Sequence, residues 1–220
     1  MGDQTENQSC QSYLVLPVGR DGNALERLEP VLAHAAPASL LLVPADANEP
    51  LEAQSILPLV QAGQAAGTAV LIAGDAGLAR TIKADGAHLG WGEDIAARYE
   101  EAREILGNRF IVGIDAGRSR HLAMQLGEAG ADYIGFGIPA HVEDREKARE
   151  RQLELVQWWA EIFEPPVVAF DVEDHEAASA LANAGADFVA RRLPMGLSPT
   201  ELRDWVSEAE AAIEHSPAHG

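Results

Sequence analysis

The sequence predicts an α/β chain folded as a closed parallel (β/α)8 barrel, and a repeated cadence is the first reason. Ala84-Asp85-Gly86-Ala87-His88-Leu89-Gly90, Ala129-Gly130-Ala131-Asp132-Tyr133-Ile134-Gly135-Phe136-Gly137 and Ala184-Gly185-Ala186-Asp187-Phe188-Val189-Ala190 each close a helix-like run and open an apolar one. Glycine takes the left-handed conformation that ends a helix, and the β-branched or aromatic residues behind it suit a buried strand. The second reason is alternation: eight short apolar runs are interleaved with eight amphipathic ones. The third is that the strand runs are apolar on both faces, as in a parallel sheet covered by helices. Right-handed crossovers close such a series into a TIM barrel, and an open doubly wound sheet is the other architecture that the pattern admits.

The elements follow in order. Strand one is expected over 13–18 and an amphipathic helix over 24–35. Strand two, 39–43, carries Leu40-Leu41-Leu42-Val43, and helix two covers 51–66. Strand three, 69–73, reads Ala-Val-Leu-Ile-Ala, and a short helix over 77–84 runs into the first cadence. Strand four, 87–89, is followed by helix four, 94–106. Strand five, 110–114, is followed by helix five, 120–129, which ends in the second cadence. Strand six, 133–136, precedes the longest amphipathic run, 143–162, and strand seven covers 167–170. Asp171, Glu173, Asp174 and Glu176 crowd the start of helix seven, 175–184, where a helix dipole favours carboxylates. Capping and a role in function both fit them. Strand eight covers 188–190. Ser198-Pro199-Thr200-Glu201 is a capping box with proline at the first helical position, so the last helix starts there and runs to 214. The expected organisation is therefore a disordered polar tail over 1–12, one barrel domain over 13–214 and a short tail over 215–220.

At 220 residues the chain can bury a full core. Lys+Arg 16 against Asp+Glu 35 gives a formal charge of -19, which repels phosphodiester backbones and anionic lipid, so neither nucleic acid nor membrane is expected as a partner. The first twelve residues lack the basic start and apolar stretch of a secretory signal, and the expected location is the cytoplasm. Cys10 is the only cysteine, which excludes an intrachain disulfide or a cysteine zinc cluster; in a tail it reads as an incidental free thiol.

In a barrel of this class the chemistry sits at the carboxyl ends of the strands, where a small-molecule ligand is expected. The residues there include Asp75, Trp91-Gly92-Glu93-Asp94, Asp115, His141, Asp171-Val172-Glu173 and Arg191-Arg192. Clustered carboxylates can hold Mg²⁺ through hard oxygen ligands, cap helices or pair with arginines. Trp91 can stack on a flat heterocycle or plug a gap. Asp115, Asp171 and the arginines can contact substrate; neighbouring strand residues face opposite sides, so at most one of Arg191 and Arg192 points into the mouth. An ion pair from Asp171 to an arginine would instead close the barrel top. His88 lies within a strand run, where a hydrogen-bonded structural histidine and a catalytic base are the two readings. Trp158-Trp159 sends one ring to the barrel and the other to a neighbouring helix or to the second subunit of a homodimer.

The order of motifs from 69 to 190 resembles thiamine phosphate synthase and its relative, the thiazole tautomerase. Val70-Leu71-Ile72-Ala73-Gly74-Asp75, Asp85-Gly86-Ala87-His88-Leu89-Gly90, Ile111-Val112-Gly113-Ile114, the segment from Gly130 through Gly137, Pro166-Val167-Val168-Ala169 and Gly185-Ala186-Asp187 carry it. The resemblance implies a reaction in which Mg²⁺ and pyrophosphate-binding side chains draw pyrophosphate from an aminopyrimidine, and the nitrogen of a thiazole phosphate captures the cation. It further implies Asp75 as a metal ligand, with Glu93 in place of the second. His141 lies near the position of the tautomerase's proton-transferring histidine, although the direct match there is Ile138.

The departures fall on the working residues. The basic strand-two signature that grips pyrophosphate in the family is absent from Leu40-Leu41-Leu42-Val43-Pro44-Ala45-Asp46. Gly74 stands for an asparagine, Trp91 for a glutamine and Asp115-Ala116 for a hydroxyl pair; Arg145 or Lys147 is all that could replace the loop lysine after strand six. Asp171-Val172 replaces the Gly-Gly turn that binds phosphate after strand seven. A carboxylate about 4 to 6 Å from a phosphate costs several kcal/mol at a partly buried site unless a cation intervenes. The expectation is a thiamine phosphate synthase-like barrel in which the condensation is weak or lost, or else a noncatalytic member that binds a small molecule or a protein.

Overall fold

The computed structural model describes residues 9–139 and 141–214. In chain order they form β1 (Gln11–Val18), α1 (Ala24–His34), β2 (Ser39–Pro44), α2 (Ala53–Ala65), β3 (Ala69–Ala73), α3 (Ala76–Ile82), β4 (Gly86–Leu89), α4 (Ile95–Leu106), β5 (Ile111–Asp115), α5 (Arg120–Glu128), β6 (Tyr133–Phe136), α6 (Arg145–Ile162), β7 (Val167–Ala169), α7 (His175–Asn183), β8 (Phe188–Arg192) and α8 (Pro199–Glu214). The strands are all parallel and close in sequence order, β8 pairing with β1 through Ala190 opposite Tyr13. The open doubly wound alternative is thereby excluded. No helix among the described residues is long and apolar enough to cross a membrane.

Three strand ends differ from expectation in ways that bear on the site. β1 begins at Gln11 rather than at 13, because Gln11 and Ser12 continue the ladder with Phe188 and Val189 of β8. Cys10 consequently sits at the barrel instead of in a tail: it is half-buried against the helix-side core, and burial, with the Asp187 charge, pushes its thiol up to about 12. The rest of the expected tails, 1–8 and 215–220, lies outside the described residues. β5 and β8 extend further than their apolar runs, to Asp115 and Arg192, which makes these charged residues the last strand positions at the mouth.

The cadence acquires a specific structural meaning. Asp85 donates its N–H to the Val70 carbonyl and accepts the Val70 N–H at its carboxylate, at 2.8 and 2.7 Å. Asp132 does the same with Val112, and Asp187 with Val167. Each aspartate entering an even-numbered strand thus closes the first rung of the preceding strand, using a backbone donor that the ladder leaves free there. Charge-assisted bonds of this kind are roughly twice as strong as neutral ones. The last helix starts as its capping box requires, Ser198 and Glu201 exchanging reciprocal bonds.

Alternation along the strands separates two packed shells. Tyr13, Leu41, Leu71, Tyr133, Val168, Phe170 and Ala190 fill the barrel, while Leu14, Leu16, Leu40, Ile72, Val112 and Ile134 face the helices. Gly113 is required inside: a Cβ there would come within 1.8 Å of the Tyr133 ring. Outside, Trp159 is buried and donates its indole N–H to the Pro165 carbonyl, whereas Trp158 is half-buried beneath the Arg120 guanidinium, 4.8 Å from its ring. Trp158 therefore meets a neighbouring helix of its own chain, α5.

Candidate ligand site at the barrel mouth

A cavity of about 750 Å³ opens where the inward-facing strand positions end. Its floor is aromatic and polar at once. Tyr133 Oη lies 2.9 Å from Tyr13 Oη and 2.9 Å from His88 Nδ1, and Phe170 packs against the imidazole with 4.6 Å between ring centroids. Burial holds the His88 pKa down to about 3, with the Arg98 charge adding to it, and burial raises both phenols above their usual range. All three groups are accordingly neutral at pH 7. Tyr13 Oη has Tyr133 as its partner among the described residues, so its hydrogen finds an acceptor only if Tyr13 donates to Tyr133. Tyr133 must then donate to His88 Nδ1, since a buried donor left unpaired is the costlier alternative. This direction of bonding puts the imidazole proton on Nε2. His88 is 6 % exposed and lines the cavity, and its Nε2 has no protein partner among the described residues. The floor therefore offers one neutral N–H donor.

The wall is acidic. Asp115, inward at the end of β5, accepts the Gly117 N–H at 2.7 Å, and Asp171, just past β7, accepts the Ile138 N–H at 2.9 Å. Asp171 adopts φ 57°, a left-handed conformation that aspartate tolerates better than most residues. The two carboxylates meet beside Gly137: a Cβ on that glycine would lie 2.7 Å from Asp171 Oδ2 and 3.0 Å from Asp115 Oδ2. Burial is the main cause that lifts Asp115 to about 6, opposed by its bonds from the Gly117 and Gly137 N–H groups and reinforced by the Asp171 charge. Burial also raises Asp171, against the opposing pull of its bond from Ile138 and the Arg145 and Arg192 charges.

The rim is cross-braced. Arg145 pairs with Glu173 at 2.6 Å, and Arg149 binds the other oxygen of the same carboxylate, which holds Glu173 below the usual carboxylate range. Buried Gln152 donates to the carbonyls of both Phe136 and Phe170, clamping the ends of β6 and β7 on which Gly137 and Asp171 stand. Strand alternation decides between the two arginines. Arg192 shares the inward phase of Ala190 and is exposed at the mouth; Arg191 has the outward phase and lies 4.7 Å over the Trp205 ring and 3.4 Å from His175, and with Trp205 it lines the outer part of the cavity. Burial lowers the Arg191 pKa, and its Nε is buried without a partner among the described residues.

The other residues singled out in the sequence lie away from the cavity. His141 is exposed on the turn before α6, and Ala140 beside it lies outside the described residues. Trp91, 49 % exposed, packs its ring on Gly117 and so supports the turn that binds Asp115. Asp75 is the N-cap of α3, its Oδ1 accepting the Leu78 N–H, and Glu93 is exposed in the loop after β4. Among the described residues no group of three or more His, Cys, Asp or Glu side chains is arranged to hold a metal ion. Asp75 Oδ1 is occupied by the helix cap, which leaves Oδ2 and the exposed Glu93 carboxylate as the oxygens that could reach a Mg²⁺ carried in with a phosphate.

Tyr13, Tyr133 and Gln152 were not anticipated. A polar residue on the buried face of α6 was the available signal for Gln152; the tyrosines read as ordinary apolar strand residues.

Known proteins fit this architecture. The thiamine monophosphate synthase family model matches residues 12–192. The chain is 36% identical over 184 residues to the thiamine-phosphate synthase of Erythrobacter litoralis, covering 82% of this chain and 85% of that one. Against the thiamine-phosphate synthase of Rhodospirillum centenum it is 38% identical over 188 residues, covering 82% and 86%. In fold it resembles a thiamine phosphate pyrophosphorylase from Pyrococcus furiosus, with a TM-score of 0.72 at 20% identity over 96% of this chain and 98% of that one. A tryptophan synthase chain from Mycobacterium tuberculosis superposes similarly, with a TM-score of 0.73 at 15% identity over 97% and 95%. The match across nearly the whole barrel, together with these relatives, shows that the chain belongs to the thiamine monophosphate synthase family.

Proposed function

We propose that this barrel serves thiamine metabolism by binding a small molecule at its mouth, and that it carries out the pyrophosphate-displacing condensation weakly or not at all. One observation carries the reading: the carboxylates of Asp115 and Asp171 converge beside Gly137 on the wall of the mouth cavity, where they oppose an anionic ligand. The part of the cavity lining that precedes β6 has His88 and Asp115 as its ionisable groups, between Val15, Leu41, Val43 and Ala73. His88 is neutral, so that half supplies no cation to a pyrophosphate. On the other half Arg145 is held by Glu173, Arg191 lies over the Trp205 ring, and Arg192 stands at the rim, all of them on the far side of the Asp115–Asp171 pair from the floor.

The chemistry within reach is proton transfer and hydrogen bonding. A carboxyl group near 6 can take or release a proton at neutral pH, and the His88 Nε2–H can orient an acceptor atom without itself ionising. The test supplies aminopyrimidine pyrophosphate, thiazole phosphate and Mg²⁺ and measures thiamine phosphate, with the Erythrobacter litoralis protein assayed alongside. Product at background, or more than about tenfold below that relative, is the expected result. A rate equal to the relative's overturns the reading, and turnover abolished by Asp75→Ala rejects a noncatalytic role.

A further inference from the structure

We propose that Asp115, Asp171 and the His88 Nε2–H form a binding site for a small flat organic cation with an N–H edge of the amidinium type, and that the same site rejects phosphate. The inference rests on the reading that the mouth takes a small molecule, and it specifies the chemistry of that molecule. Three independent features of the cavity converge on it.

The first is the carboxylate geometry. Both Oδ2 atoms crowd the Gly137 position; Asp115 accepts the N–H groups of Gly117 and Gly137 and Asp171 that of Ile138, which leaves acceptor lone pairs on each carboxylate. A planar cation with paired N–H donors uses that capacity with direction as well as charge, as a guanidinium does on a carboxylate. The second is His88. It pairs in register with Gly113, one inward position below Asp115 on the neighbouring strand; its buried ring lines the cavity, is bonded at Nδ1 to Tyr133, and has no protein partner for Nε2 among the described residues. Because Nε2 bears the proton, it cannot ligate a metal; it requires an acceptor atom on the ligand. The third is the apolar surround: Val15, Leu41, Val43, Ala73 and Phe170 line the remaining wall and suit the face of a ring.

The groups facing Asp115 are His88 from β4 and Tyr133 from β6, both neutral, and Asp171 beyond β7; Arg145, Arg192 and Glu173 act on Asp171 from the rim. Raising the pH through 6 therefore adds negative charge on the wall without a compensating change on the floor.

The test uses the full chain with benzamidine as cationic probe and phenyl phosphate as its anionic counterpart, titrated by calorimetry at pH 7.5 and pH 5. Benzamidine is expected to bind and phenyl phosphate not to. Affinity for benzamidine should fall about tenfold at pH 5, as Asp115 takes up its proton. Asp115→Asn and Asp171→Asn should each weaken it about tenfold or more, and circular dichroism checks that the variants are folded. Asparagine tolerates the left-handed backbone of Asp171, so that variant and the pH arm remain decisive if Asp115→Asn does not fold. Phenyl phosphate binding, absence of benzamidine binding at millimolar concentration, or benzamidine binding indifferent to both variants and to pH overturns the proposal. Efficient condensation in the thiamine phosphate assay would overturn the functional reading instead, so the two failures are distinguishable.

Discussion

Tyr133 Oη stands 2.9 Å from His88 Nδ1, and the two rings lie nearly parallel, their planes 8° apart. The phenol donates, the imidazole accepts, and the proton of the histidine is left on Nε2. Nitrogen-15 NMR of labelled histidine should find His88 as a fixed Nε2–H tautomer that stays neutral down to about pH 3. A titration midpoint near the usual 6.5 would contradict it. In Tyr133→Phe, His88 Nδ1 and Tyr13 Oη lose their partner; the expected cost is about 1–3 kcal/mol, with both tautomers appearing in the spectrum.

His88 and Asp115 couple stability to pH with opposite signs. For His88, lowered from 6.5 to about 3, the unfolded chain binds the proton that the folded chain refuses, so its contribution is full above 6.5 and is lost as the pH falls toward 3. For Asp115, raised from 3.8 to about 6, the contribution is full below 3.8 and is lost as the pH rises through 6. Urea unfolding between about pH 4 and pH 7 should show Asp115→Asn gaining stability relative to the parent as the pH rises. His88→Asn should show a deficit that shrinks as the pH falls. The reverse trend in either variant would refute the assignment.

The aspartates of the cadence are structural. Asp132→Ala and Asp187→Ala each strip a charge-assisted acceptor from a strand N–H, that of Val112 and Val167 respectively. A loss of about 1–3 kcal/mol in denaturant unfolding is expected for each. Asp132 also pairs with Arg103 at 2.7 Å, so Arg103→Met should lose less in the Asp132→Ala background than alone.

Gly113 and Tyr133 occupy complementary volumes inside the barrel. Gly113→Ala should destabilise by about 1–3 kcal/mol or more through overpacking. Placing it in a Tyr133→Leu background should recover part of that loss, because the ring that the methyl strikes is gone. Equal destabilisation in both backgrounds would show that the strain lies in the backbone instead.

Strand ends were legible as the place of the site because charged residues there interrupt apolar runs: Asp115, Asp171 and Arg192 line the cavity. Nearness in sequence to strand ends suggests His141 and Trp91 for the mouth as well. A loop's direction after leaving a strand is set by what it packs on, and Trp91 packs on Gly117 while His141 turns to solvent. Alternation allows at most one of Arg191 and Arg192 to face inward, yet which one depends on the phase of β8, fixed by its pairing with β1.

By itself, then, the sequence determined the repeating α-to-β unit, the parallel barrel and the family framework, since helix ends, apolar runs and the aspartate cadence act over a few residues each. Only the tertiary structure decided the site. The His88–Tyr133–Tyr13 chain and the Asp115–Asp171 pair join strands that are distant in sequence, and their meeting depends on barrel register and on the space that Gly113 and Gly137 leave open. Register is a property of the closed sheet as a whole, and no local run of residues encodes which side chains it brings face to face.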